Sequence, residues 1–325
     1  MSVAAASRDL AEQGARAVTD LGLGSILESA AVRRLDAISF LGVLRRDSFP
    51  RHSRLNHSLG AVYLATRAGR AAQLPHPLLR HLAAALLLHD VSTWPLSHTG
   101  EEPFKRITGL SNGSLKHAVL YDEPTVPAEY HLGQTLADAA LDRAVLWVLL
   151  SKKASGADAV LDATVELVRC VANPDTLDGI ARSALIYSVE CPDVTRVADR
   201  FRYHDQQLCV AADVLPLLDE FWTAKAQVYA RHIYAPASIE GERLAAEALY
   251  ATYAGTSPRD ALALTDEAVL QRIEPLLDGE SGLRSAMELR FRPHQRYRID
   301  TAVAFDEDPI PVTALTQRYA REDLD

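Results

Sequence analysis

Cysteine, tryptophan and methionine are scarce in this 325-residue chain, with three, three and two residues. Cys170, Cys191 and Cys209 stand far apart and form no CxxC pair, which argues against a disulfide framework or a thiolate metal knot. Buried thiols in a reducing cytoplasm are the expectation. Basic charge is not in excess either: 34 Lys and Arg face 43 Asp and Glu, for a formal charge of -9. Bulk attraction to nucleic acid or to anionic membranes is thereby disfavoured, although a local basic pocket is compatible with it. No run approaches the roughly 18 uncharged apolar residues of a membrane span. The opening MSVAAASRDLAEQ becomes charged too early for a signal peptide. Internal repeats and low-complexity tracts are missing as well. What remains is ordinary for a globular protein, 48% hydrophobic and 24% charged, and long enough for one large domain or two modest ones.

Most of the chain carries helical periodicity. AAVRRLDAISFLGVL (30–44) spaces Val32, Leu35, Ile38, Leu41 and Leu44 as one helix. HSLGAVYLATRAGRAAQL (57–74) and LLRHLAAALLLHD follow, separated by the turn LPHP. Residues 134–153 read as another helix, and 162–189 as two helices broken at Pro174. RFRYHDQQLCVAA reads as a β-hairpin in which His204-Asp205 forms the polar turn rather than a ligand pair. Helices return in VLPLLDEFWTAKAQVYARHIY, ERLAAEALYATYA and DEAVLQRIEPLL. LRFRPHQRYRID is an extended segment, solvated or between subunits, before an acidic tail. The predicted fold class is mainly α. An N-terminal helical extension (1–24) precedes a helical core (25–200), and a smaller α+β part (201–325) holds the hairpin and tail.

One stretch resists a purely structural reading. LLLHDVSTWPLSH (86–98) ends an apolar helix on adjacent His89 and Asp90, and a buried carboxylate costs several kcal/mol unless it is paired or coordinates a metal. His57 begins one helix, His89-Asp90 ends another, and Asp175 sits beside a proline break. Helix ends can gather at one point of a bundle without polar atoms crossing its core. Two neutral imidazoles and two carboxylates balance a divalent cation, and the N/O set suits Fe, Mn, Co, Ni or Zn better than Cu or Ca. The plainer alternative is a buried histidine capped by its neighbouring aspartate, with His57 merely starting its helix.

RRLDAISFLG, FPRHSRLNHSLGAVYLA, AAALLLHD, PLSH and NPDTLDGIARSA, taken in order, resemble the HD-domain superfamily of metal-dependent phosphohydrolases. The similarity is greatest to the deoxynucleoside triphosphate triphosphohydrolase branch. It implies an all-α HD-domain bundle with His57, His89, Asp90 and Asp175 as metal ligands, attack of a metal-activated water on phosphorus, and a homo-oligomer. It also implies that Arg54, one turn before His57, and His98 contact phosphate oxygens and that His117 transfers protons. Mg with the substrate phosphates is a further implied cofactor. The implied substrate is a phosphorylated, nucleotide-like small molecule.

Departures from the pattern cluster around the substrate. Thr93 stands where the branch has a catalytic histidine, and Trp94, in place of a glycine, is expected to line the pocket and stack on a substrate ring. Trp147 and Trp222 read as core. Phe40 replaces a sugar-reading glutamine, Thr176 a basic residue, Gly179 a tyrosine that packs on the sugar, and Ser183 an aspartate. Lys225 lies near the place of a phosphate-reading arginine. The ligand set is thus kept while the nucleotide-reading groups are remodelled. The leading expectation is a hydrolase acting on a modified or specialised nucleotide. Two alternatives stay open: a dinuclear iron oxygenase of the same fold, recruiting His98 and His117, and a catalytically impaired nucleotide-binding protein.

Overall fold

The computed structural model describes residues 3–45, 52–154, 156–277, 294–306 and 308–324. Parts of two sequence motifs, residues 49–51 and 289–293, lie outside them. The architecture is mainly α with a small α+β C-terminal part, as expected. At its centre runs the helix Arg54–Ala71, whose side chains are buried nearly all round. A helix apolar on every face must be enclosed by neighbours. Val3–Asp20, His76–Leu88, Pro174–Tyr187 and Val194–Ala198 pack around it. Ser53 caps its start by accepting a hydrogen bond from the Asn56 N–H at 3.2 Å.

The helix His76–Leu88 begins with proline in its first turn and buries the run Leu82–Leu88, so that the chain emerges at His89 with helical backbone. Pro174–Tyr187 is capped by the Asn173 side chain, which accepts from the Thr176 N–H at 2.9 Å. Its partner Ala159–Arg169 ends ahead of it, giving the break expected at Pro174. All three cysteines are free thiols, with Cys170 and Cys209 buried.

Two helical expectations are corrected. Residues 30–44 form a helix only over Ala30–Arg33, then 3-10 turns at Arg34–Ala37 and Gly42–Arg45 around an extended strap. Tertiary partners take the strap's backbone groups. The Ser39 N–H donates to Asp266 Oδ2 at 2.7 Å and the Phe40 N–H to the His52 carbonyl at 2.8 Å, while the Ile38 carbonyl accepts from the Arg54 N–H at 2.8 Å. Gly42 closes the strap at φ +59°, where an added Cβ would stand 2.4 Å from the Leu96 carbonyl oxygen. Likewise residues 134–153 split into Gly133–Asp138 and Arg143–Ser151, because Ala140 turns left-handed and Asp142 caps the second helix.

The hairpin pairs β1 (Phe201–His204) with β2 (Gln207–Val210), both turn residues Asp205 and Gln206 having positive φ. That is the turn geometry whose twist suits two-residue hairpins. β3 (His294–Ile299) belongs to a separate two-stranded sheet, and β4 (Ile310–Pro311) adds to β2. β5 (Tyr319–Leu324) pairs antiparallel with β3. The helix Leu215–Val228 runs on into one π-helical turn, Tyr229–Ile233, before Pro236–Tyr253 begins. No described helix is long and apolar enough to cross a membrane.

Candidate metal centre and its cavity

Three helix ends meet beside the strap. His57 comes from the first turn of Arg54–Ala71, His89 and Asp90 from the end of His76–Leu88, and Asp175 from the first turn of Pro174–Tyr187. Each imidazole is oriented through Nδ1. His57 Nδ1 donates to Asp178 Oδ2 at 2.7 Å, and His89 Nδ1 donates to the Leu86 carbonyl at 2.6 Å. With those protons committed, the two Nε2 atoms face each other 3.2 Å apart. Asp90 Oδ2 lies 3.6 Å from His89 Nε2, and Asp175 Oδ1 lies 3.2 Å and 3.7 Å from His57 Nε2 and His89 Nε2. Donor atoms of His57, His89 and Asp90 all fall within 4.8 Å of one another, so this trio could hold a metal ion.

The donor chemistry fits a divalent cation. Two nitrogens at 2.0–2.1 Å from one metal stand roughly 2.8–3.4 Å apart, from octahedral to tetrahedral angles, a range that includes the 3.2 Å seen here. A hydrogen bond partner for each Nδ1 is the usual support of a ligating histidine. The charges of the four groups are strongly coupled. Burial opposes an imidazolium at His57, yet hydrogen bonds to Asp175 and Asp178 outweigh it and raise the ring to about 9. Burial would lift the Asp90 carboxyl, but His89, Arg54 and His57 hold it well below the usual carboxylate range. Asp175 is held down in the same sense against its own burial, chiefly by the two histidines. Burial lowers His89. Lys152, its Nζ 3.8 Å from Asp175 Oδ2, adds positive charge at the cavity side of the cluster.

Asp178 is the group that sequence reasoning passed over. It is fully buried and accepts from Arg182 Nε at 2.5 Å and Nη2 at 3.0 Å while holding His57. Arg182, itself 1% exposed, also donates from Nη2 to the Asn56 carbonyl at 2.6 Å. The spacing of Asp178 and Arg182 in DGIAR, four residues on one helix face, was the available signal. Gly60 makes room for this pair. A Cβ there would stand 1.8 Å from Asp178 Oδ1 and 2.6 Å from Arg182 Nη2. Gly60→Ala is therefore expected to cost about 3 kcal/mol by overpacking, against a gain of about 1 kcal/mol in helix propensity. The net loss is read from the denaturant midpoint, and an unchanged or raised midpoint would contradict the contact.

Arg54, 4% exposed, donates from Nε to Ser97 Oγ at 2.9 Å and from Nη1 to Asp90 Oδ2 at 3.0 Å. Its Nη2 is buried and has no hydrogen-bond partner among the described residues. The guanidinium carbon lies 5.0 Å from the Phe40 ring centroid, and that ring also packs 4.7 Å from His57.

A cavity of about 810 Å³ opens here, lined by His57, Asp90 and Asp175 together with Arg54, Phe40, His98, Gly179 and Lys225. Thr176 and Ser183 line it too. His98 sits half-exposed with Nδ1 3.5 Å from Glu101 Oε2. Lys225 is held over the faces of Trp222 and Tyr297, 4.3 Å and 4.5 Å from their centroids. Burial, with Arg321 nearby, lowers its ammonium to about 8.

Three expected site residues lie elsewhere. Trp94 is 1% exposed and stacks on Phe104 at 5.4 Å, so it belongs to the core and does not line the cavity. The chain turns at Asp90 because the Thr93 N–H donates back to the Asp90 carbonyl at 2.8 Å. The Thr93 carbonyl in turn accepts from Arg34 at 2.5 Å. That turn carries Thr93 away from the cavity and Trp94 inward. His117 pairs with Glu123 Oε1 at 2.5 Å, stacks on Tyr121, and lines a separate, shallower cavity. The residue beside it, Lys116, is near enough to Asp90 and Asp175 to feel their charges, although burial lowers its ammonium.

No family model matches the chain, and no curated protein matches it. Among solved structures, a phosphohydrolase from Bacteroides thetaiotaomicron is similar with a TM-score of 0.58 and 20% identity, over 70% of this chain and 54% of that one. The chain thus spans about half the length of that relative. A hypothetical protein from Aquifex aeolicus is similar with a TM-score of 0.61 and 20% identity, over 78% of this chain and 67% of its own. At these identities what the three chains share is the fold.

Proposed function

We propose that the chain is a metal-dependent phosphohydrolase of the HD-domain type, removing phosphate or polyphosphate from a phosphorylated small molecule. One observation carries this reading: two histidine Nε2 atoms face each other at 3.2 Å, each ring fixed through Nδ1, with Asp90 and Asp175 alongside. The name of the Bacteroides relative supports the reaction class. Nucleotide-like character of the substrate rests on the sequence resemblance.

In this reading His57, His89, Asp90 and Asp175 hold the cation. When bound, a divalent metal supplies a water acidified to a pKa of roughly 7 and polarises a phosphoryl oxygen. Asp178 keeps the His57 tautomer, and Leu86 that of His89. Arg54 is anchored by two of its nitrogens and has Nη2 left for a phosphate oxygen, a use for which a guanidinium fork is suited. His98, on the cavity wall, is placed to pass a proton to the leaving oxygen. Thr93 and His117 take no part. The dinuclear oxygenase alternative weakens accordingly, since His117 lies on the other cavity.

Metal analysis followed by a screen of nucleotides and sugar phosphates with Mn, Fe, Co and Mg tests the proposal, with phosphate, pyrophosphate and triphosphate read separately. One metal per chain and turnover of at least one ester are expected. Two irons per chain with O₂ uptake would favour the oxygenase. Full metal occupancy with no phosphorus product from any ester would sink the hydrolytic account.

A further inference from the structure

Two helices that supply no metal ligand each bring a lysine to the centre. Asn112–Leu120 packs against Arg143–Ser151, which ends on Lys152 in a left-handed turn at φ +57°. Lys152 Nζ then lies 3.8 Å from Asp175 Oδ2. Asn112–Leu120 is docked at its start, where Asn112 Nδ2 donates to Glu101 Oε1 at 2.9 Å. Glu101 belongs to the wall of the main cavity, its Oε2 3.5 Å from His98 Nδ1. Residues four apart share a helix face, so Lys116 follows Asn112 toward Glu101. His117, about 100° further round the helix, turns to Glu123 instead. Lys116 thereby comes under the charges of Asp90, Asp175 and Glu101, and of Lys152 as well. It also lines the shallower cavity, and so borders both that space and the metal ligands.

This is a costly place for an ammonium group. Lys116 is half-buried, and among the described residues its Nζ makes no hydrogen bond and no ion pair. A polar group drawn out of water without such partners loses free energy, and two like charges in one neighbourhood oppose each other. Asp90 and Asp175 offset these costs. When those carboxylates hold a divalent cation with His57 and His89, however, their charge is matched by the cation. Glu101 is already engaged by Asn112 and His98. Lys116 and Lys152 then face the centre beside Arg54 with their own charge unmet. A phosphate group, at about -1.5 to -2 near neutral pH, is the anion that meets it. An ammonium on a flexible stem, with several N–H donors, can follow such a group.

We infer that Lys116 and Lys152 hold the substrate's phosphate at the metal centre, their ammonium groups taking phosphate oxygens beside Asp175 while Arg54 Nη2 takes another. This rests on the phosphohydrolase reading and adds to it two residues from outside the ligand-bearing helices. It also gives Asn112–Leu120 a part in the site through Lys116 rather than through His117.

The test is a calorimetric titration of inorganic phosphate into the metal-loaded full chain, with kcat and KM measured on an ester that the metal screen finds to be turned over. Lys116→Gln and Lys152→Gln remove the charges, and Lys153→Gln is the control for surface charge. Each of the first two should weaken phosphate about tenfold and raise KM by a similar factor, at unchanged metal content and thermal midpoint. The control should change neither, and Lys→Arg at either position should recover most of the binding. Phosphate affinity indifferent to both lysines, or weakened as much by Lys153→Gln, overturns the inference, and continued turnover then leaves the phosphohydrolase reading standing. An effect confined to one lysine overturns the pair. Loss of metal in Lys152→Gln, with normal phosphate binding once metal is saturating, makes that lysine a partner of Asp175 alone and also overturns it. Lysine-dependent phosphate binding to a protein that hydrolyses no ester supports the pair while the hydrolytic reading fails. Metal uptake without any phosphate binding overturns the inference, and a chain that takes up neither overturns both.

Discussion

His89→Ala is expected to yield a folded protein that retains no stoichiometric metal and loses at least about 10³-fold in kcat. The size follows from what the cation contributes. Lewis-acid stabilisation is worth several kcal/mol, and each 1.36 kcal/mol is tenfold in rate. His89 is 13% exposed in its side chain and sits at a helix end, so its loss opens a small, polar, wettable gap rather than an apolar void. Removing it also leaves His57 Nε2 facing Asp175 alone, where a proton suffices to satisfy both. Metal content by elemental analysis and turnover by phosphate release check the result, with the thermal transition as the control for folding. Full turnover in a metal-free His89→Ala or Asp90→Ala protein would refute the centre altogether.

The second large effect falls on stability. Asp178→Ala strips the partner from Arg182, and both side chains are essentially inaccessible to water. An uncompensated buried guanidinium costs about 3–5 kcal/mol. For a chain of this length that lowers the melting temperature by on the order of 5–10 °C. The same change frees the His57 ring from its Nδ1 acceptor, and losses of such support cost roughly 10–100-fold in metal affinity. The double change Asp178→Leu with Arg182→Leu separates the two roles. Removing both charges should recover much of the stability, as apolar replacement of buried pairs often does, while metal affinity stays low. Recovery of both together would mean that Asp178 orients nothing.

Much of this arrangement could be read in the sequence, for physical reasons that differ by residue. Adjacent His89 and Asp90 after a run of buried leucines announce a polar group with an obligation, and Pro174 announces the helix start that carries Asp175. The four side chains meet because each occupies a helix end, a position legible from caps and breaks. The strap over residues 38–41 was not legible, since its periodicity is helical and only remote acceptors draw its backbone out. Asp266 is 227 residues from Ser39. Trp94 misled for a related reason. Next to a ligand in sequence, it is turned into the core by the tight turn at Thr93 and by Arg34 reaching across to that turn. Asp178 hid behind Asp175, because two aspartates in one short stretch differ in role only once the helix face is known.

Asp266 does more than straighten the strap. Its other oxygen takes the Leu96 N–H at 2.6 Å, at a residue whose φ is +58°, so one carboxylate clasps both the loop bearing Phe40 and the turn leading to Ser97 and His98. Every side chain of the candidate metal centre is encoded before residue 180, yet the clasp is encoded nearly ninety positions later. A shortened chain ending before that point would keep the whole inventory of ligands and lose the means of holding two walls of their enclosure in register. Engineering a minimal version of this protein therefore has to begin from its carboxyl half.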